Sequence, residues 1–146
     1  MMIDDTIRDF ILRHSVGRLA TTGRDGIPHV IPFCYALDAE NIYFVVDQKP
    51  KRKTGKPLKR IRNMLENPVA AIVIDDYDND WTRLAYVMIT GGTSIVDSED
   101  EYLRVLALLR ERYPQYRDMQ LTISHNSMVR IAVDKIHAWG KTGTDP

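Results

Sequence analysis

The period of the apolar positions changes several times along the chain, and each change marks an element. Ile3, Ile7, Phe10 and Ile11 recur at helical spacing, which predicts a short amphipathic helix over residues 3 to 14. Val16 to Thr22 reads as a strand and Gly23-Arg24-Asp25-Gly26 as a hairpin turn. Ile27 to Leu37 reads as a second strand, with Pro28 and Pro32 implying an edge position or a bulge. Asp38 to Asn41 turns the chain into a third strand, Ile42 to Val46. Leu58, Ile61, Met64 and Leu65 then share one helix face, and Asn67-Pro68 stops that helix.

Val69 to Ile74 is a near-continuous apolar run, the pattern of a strand buried on both faces or set in a barrel wall. Another strand runs from Leu84 to Val96, where Gly91-Gly92 predicts a bulge or a close backbone approach. Ser98 and Glu101 form a capping-box pair that opens a helix with Tyr102, Val105, Leu106 and Leu109 on one face, ending near Tyr113-Pro114. Met128 to Val133 is the last strand, followed by His137-Ala138-Trp139-Gly140. The expected fold is therefore mainly β with peripheral helices: a six-stranded antiparallel barrel forming one domain over residues 1–146.

Charge changes the picture at one place. Lys49 to Arg62 holds eight of the chain's twenty basic residues, and no acid follows until Glu66. The run spans a strand-to-helix junction, where cations oppose the helix dipole, so an anion at that junction would offset the cost. A phosphate site is the leading reading, beside a solvated loop and a nucleic-acid or targeting segment. Twenty acids balance the twenty bases, so no global basic excess marks a nucleic-acid binder.

No apolar run is long enough for a bilayer, and the start Met1-Met2-Ile3-Asp4-Asp5 lacks a signal-peptide pattern. With one cysteine, Cys34, in an apolar segment, the expectation is a cytoplasmic protein with a structural thiol. The tract Asp75 to Asp80 lacks the EF-hand pattern and reads as a solvated turn, and the four histidines show no zinc spacing, so no metal site is assigned. No Gly-x-Ser-x-Gly, GxGxxG or Walker sequence is present, and no catalytic residue stands out. A protein that grips a phosphate while supplying little chemistry of its own suggests a cofactor-dependent enzyme.

Val16 to Thr22 with Gly26 to Phe33 resembles the first hairpin of the pyridoxamine 5′-phosphate oxidase-like FMN-binding split barrels. Lys59-Arg60, Asn67-Pro68 and Val69 to Ile74 are similar to that family's phosphate segment and following strand, and Val129 to Gly140 to its closing strand. Lys49 to Lys53 and the turn Asp78 to Trp81 most resemble the F420-dependent reductase subgroup. The resemblance implies a split barrel that binds FMN or coenzyme F420 (some members bind haem), and a homodimer with cofactor sites between subunits.

It also implies the site. Lys53, Thr54, Lys56, Lys59 and Arg60 would hold the phosphate, while Val30, Ile31, Pro32, Phe33, Val46, Asp47 and Gln48 would carry the ring. Trp81 and Trp139 would wall the pocket, and Tyr35, Tyr77 or His29 would donate a proton. The chain ends at Lys141 to Pro146 without the basic segment of true pyridoxamine phosphate oxidases, so that activity is not expected. The expected function is hydride transfer between FMN or F420 and a small conjugated substrate, with a non-enzymatic cofactor binder, carrier or sensor as the alternative. Neither nucleic acid nor membrane is an expected partner.

Overall fold

A computed structural model describes residues 3–47 and 58–142. Seven antiparallel strands form one sheet: β1 (Gly17–Thr22), β2 (Pro28–Phe33), β3 (Ala36–Asp38), β4 (Asn41–Val45), β5 (Val69–Asp76), β6 (Ala85–Ile95) and β7 (Met128–Gly140). Their order across the sheet is β2-β1-β5-β6-β7-β4-β3. Three helices accompany it: α1 (Asp5–Leu12), α2 (Lys59–Glu66) and α3 (Glu99–Arg112). None of the helices among the described residues is long and apolar enough to cross a membrane.

The count is seven strands rather than six because the expected strand Ile27 to Leu37 is two. It breaks at Cys34-Tyr35, and its halves, β2 and β3, lie at opposite ends of the sheet order. That connection dictates the overall shape. Laid flat, the outer strands of seven would stand roughly 29 Å apart, whereas the three Cα steps from Phe33 to Ala36 reach at most about 11 Å. The sheet must curl until its ends meet. They meet inside, where the Phe33 and Phe44 rings stand edge to face with centroids 5.8 Å apart.

The corner itself is secured by buried polar contacts. Tyr35 is fully buried, its hydroxyl 2.6 Å from the Ile11 carbonyl oxygen and 2.9 Å from that of His14. Its amide donates to the Tyr113 hydroxyl, and Arg112 Nε donates to its carbonyl at 2.9 Å. Tyr35 is thus committed to holding the corner, which removes it from the expected proton donors.

The concave side holds one apolar core, including Leu19, Ile72, Ile74, Val87, Ile89 and Ile131, closed off by Phe10 and Ile11 of α1. A second core, around Tyr43, Val45 and Met128, seats the Tyr102-Val105-Leu106-Leu109 face of α3 on the outer side of β4 and β7. Strand β7 runs on through Trp139, past the expected end at Val133, because β6 offers a partner as far as Ala85↔Gly140. The register shifts between Thr90 and Gly91, where a Cβ on Gly91 would come within 2.3 Å of the Ala132 carbonyl oxygen. Both expectations for that glycine pair, bulge and close approach, are met at one residue.

Candidate functional site: a groove along the seam of the sheet

Where the two ends of the sheet meet, they do not pair, and a cavity of about 430 Å³ opens along the seam. Ile31, Pro32 and Phe33 of β2 form one wall and Phe44 and Val45 of β4 the other. Val16, Cys34, Asp47, Arg60 and Tyr116 complete the lining. Alternation along β2 explains Ile31 and Phe33 in that wall: Phe33 turns into the core and Ile31 is half-buried, while Val30 and Pro32 are exposed.

Arg60 supplies the main charge. It sits in the first turn of α2, whose Leu58 cap offers no side-chain oxygen to the free amides. The half-buried guanidinium lies 5.9 Å from the Phe44 ring centroid, within cation–π reach. It makes no hydrogen bond or ion pair among the described residues, although Asp47 lines the same cavity. Burial pulls the Arg60 guanidinium below the ordinary arginine value, and Asp47 and then Tyr116 partly restore it. Burial likewise pushes the Cys34 thiol and the Tyr116 phenol up, so both are neutral at pH 7. Cys34 is half-buried at the groove rather than sealed in the core.

The structure therefore brings Ile31, Pro32, Phe33, Asp47 and Arg60 together from the sequence-derived set. Lys59 instead points at the hairpin tip, 3.7 Å from Asp25. Val46 packs against the inner core and is tied through its backbone to Ser127 and Asn126. Trp81 (70% exposed) follows β5 in a 3₁₀ turn, and Trp139 (49% exposed) stacks on Tyr86 with centroids 5.7 Å apart. Neither tryptophan, nor Val30, lines the seam cavity. Tyr77 is exposed beside Trp81, and half-buried His29 lies on β2. Gln48, Lys53, Thr54 and Lys56 lie outside the described residues.

Phe44, Val45 and Tyr116 were not singled out by the sequence. Phe44 could have been, because its place in an apolar strand gives it an inward face. Tyr116 comes from a 3₁₀ turn after α3 and carries no local signal. The acidic tract is engaged within the protein: Asp76 bonds to His14 and Arg13, more than sixty positions away in sequence, while Asp78 and Asp80 accept from nearby backbone amides.

The sequence and the fold recur in known proteins. The chain is 27% identical over 135 residues to the 5a,11a-dehydrotetracycline/5a,11a-dehydrooxytetracycline reductase of Streptomyces rimosus subsp. rimosus, spanning 92% of this chain and 80% of that protein. Its structure is similar to that of the conserved hypothetical protein Rv2991 from Mycobacterium tuberculosis, with a TM-score of 0.74, 26% identity, and 96% of this chain and 86% of that one covered. An F420 reductase superposes with a TM-score of 0.61 at 24% identity, over 92% of this chain and 98% of its own, a likeness of fold. The family model for pyridoxamine 5′-phosphate oxidase matches residues 4–138, and the chain belongs to that family.

Proposed function

We propose that this protein is a flavin- or deazaflavin-dependent oxidoreductase that binds FMN or coenzyme F420 in the seam groove and acts on a small conjugated substrate. The observation that carries the reading is Arg60, a half-buried cation in an apolar groove with no hydrogen-bond partner among the described residues. Isolated buried charge is costly unless a partner arrives, and a phosphate would be that partner.

The rest of the groove suits such a cofactor. Phe44, Ile31 and Val45 offer flat apolar walls to a ring system and exclude water from its faces. Asp47 forms no ion pair with Arg60, which leaves an acceptor and a cation separately available to a ligand that carries both N–H donors and an anion. Lys59, on exchanging Asp25 for the ligand, and Lys53, Thr54 and Lys56 beyond the described residues, would extend the proposed phosphate site. When bound, either cofactor supplies two-electron hydride chemistry; the chain's own part is to hold and orient. The reductase named among the relatives, and the F420 reductase of similar fold, support the same class.

The outer sheet face supports the proposed homodimer. Val30, Val69 and Met88 are all exposed there, and Val73 pairs with Met88 across β5 and β6. A second copy covering this face would bury them. Trp81 and Trp139 lie outside the seam cavity, so a walling role for them would require a second copy across this face.

The test is a pair of fluorescence-quenching titrations with FMN and with F420, followed by turnover of the reduced, bound cofactor with conjugated carbonyl compounds. Saturable binding with substrate-dependent reoxidation is the expected outcome. Binding without turnover would favour a carrier or sensor, and binding of neither cofactor would refute the reading.

A further inference from the structure

Helix α2 meets the β1–β2 hairpin through polar groups, and the contacts run from its first residue to its C-terminal cap. Lys59 Nζ lies 3.7 Å from Asp25 Oδ2, and Asn63 Nδ2 donates to the Thr21 hydroxyl at 3.1 Å. Glu66 accepts from the Arg24 amide at 2.8 Å, and Asn67 Nδ2 donates to the Thr22 hydroxyl at 3.4 Å. Gly23 permits the close approach: a Cβ there would come within 2.6 Å of both Asn63 Oδ1 and Glu66 Oε1. Asn63 is fully buried and Thr21 nearly so, which makes this joint part of the packed interior.

At one end of the joint two opposite charges face each other. Asp25 Oδ1 accepts from the Ile27 amide at 3.0 Å and closes the turn on its own side chain, which leaves Oδ2 to Lys59. The Ile27 amide, opposed by desolvation and helped by Lys59, holds the Asp25 carboxyl below the ordinary 3.8. The hairpin is anchored at Thr21, Thr22 and Arg24, so the carboxylate is placed by contacts that do not involve Lys59. The ammonium, in contrast, is held at 3.7 Å by a partly exposed pair, a contact weak enough to exchange. Arg60, the next residue, turns into the groove and makes no hydrogen bond or ion pair among the described residues. Of two adjacent cations, the protein itself answers one and leaves the other open.

We propose that Asp25 is a built-in competitor for the cofactor phosphate: it occupies Lys59 in the free protein, and a phosphate held by Arg60 takes the ammonium over by anion exchange. The inference rests on the cofactor reading of the groove and adds to it a residue that lowers affinity. A phosphate ester with more than one negative charge outbids a single carboxylate and can engage both cations at once. A lone monovalent anion has no such advantage over Asp25, so Lys59 is kept from it. A ligand without a phosphate leaves the Asp25–Lys59 pair closed.

Asp25→Asn tests this, because asparagine keeps the oxygen that accepts from the Ile27 amide and removes the charge. FMN is titrated into the wild type, Asp25→Asn, Lys59→Ala and the double variant, with riboflavin, which lacks the phosphate, run in parallel. For a protein that binds F420 instead, F420 and its phosphate-free deazaflavin chromophore replace that pair. The phosphate-bearing cofactor should bind Asp25→Asn about threefold tighter, the scale of an exposed ion pair. The same substitution should change nothing in the Lys59→Ala background, and the phosphate-free ligand should bind all four proteins alike. Unchanged or weaker cofactor binding in Asp25→Asn overturns the competitor role. An equal gain in the absence of Lys59 overturns it as well, because net charge alone would then account for the effect. Failure of both FMN and F420 to bind the wild type removes the cofactor reading, and the inference with it.

Discussion

Phe33 and Phe44 belong to strands that share no backbone hydrogen bond, yet their rings meet edge to face with centroids 5.8 Å apart. The contact closes the inside of the sheet and floors the groove above it. The Arg60 guanidinium carbon lies 5.9 Å from the centroid of the same Phe44 ring.

Arg60 should show a split between binding and stability. Arg60→Ala removes a half-buried cation that has no hydrogen-bonded partner among the described residues, so urea unfolding should change by less than about 1 kcal/mol. FMN or F420 affinity should fall about tenfold or more, and the Lys59→Ala, Arg60→Ala double variant should lose more again. Titration and urea melts on the same preparations check both halves, and unchanged affinity in the double variant would refute the phosphate assignment.

Two adjacent glycines should respond differently to alanine. At Gly91 a Cβ would come within 2.3 Å of a carbonyl oxygen, whereas at Gly92 the nearest atom is 3.8 Å away. Gly91→Ala should cost about 2 kcal/mol or more as β7 is forced to shift. Gly92→Ala should stay within about 0.5 kcal/mol of the wild type. Paired thermal or urea melts decide it.

Glu101 ties α3 to the sheet. Its carboxylate accepts two bonds from Arg130 and a 2.7 Å bond from the Tyr43 hydroxyl. The Arg130 hydrogen bond, opposed by burial and helped by Tyr43, holds its carboxyl below the ordinary 4.5. A depressed folded-state pKa contributes stability that is present above the unfolded value and lost as pH falls through the folded one. Glu101→Gln should therefore be less stable than the wild type at pH 7, and the gap between the two should narrow as pH drops below about 4.5. Urea midpoints at pH 7 and in acid measure that gap, and a constant difference would rule out the linkage.

The proposed dimer face should be sensitive to charge. Met88→Glu puts a carboxylate at the middle of that face, and the variant should sediment as a monomer where the wild type sediments as a dimer. Circular dichroism should remain that of the wild type, because Met88 lies outside both cores. A monomeric wild type would remove the proposed interface and, with it, the walling role proposed for Trp81 and Trp139.

Much of the fold is legible in the sequence because the local signals agree with the tertiary structure. The amide of Glu101 donates to Ser98 as the cap predicts, although the Glu101 side chain reaches Arg130 rather than back to the cap. The break at Cys34-Tyr35 is not legible. No glycine or polar run interrupts Ile27 to Leu37, and the corner is made by Arg112, Tyr113 and the end of α1, all remote in sequence. Lys59 illustrates the same limit at the site. Its place in a basic run points to an anion, and nothing local announces that Asp25, thirty-four positions earlier, folds up beside it. Arg60 and the β2 wall were found through the family pattern, whereas Tyr116 reaches the groove only through the packing of α3.

The two-residue link between β2 and β3 separates the opening of the groove from the identity of its lining. Covalent reach, not the fit of Ile31, Pro32 or Val45, brings the two ends of the sheet together. Those positions are consequently free to change under selection for a different ligand without reopening the fold. The frame is a holder whose jaw width is inherited through the chain, and whose grip can be re-specified one side chain at a time.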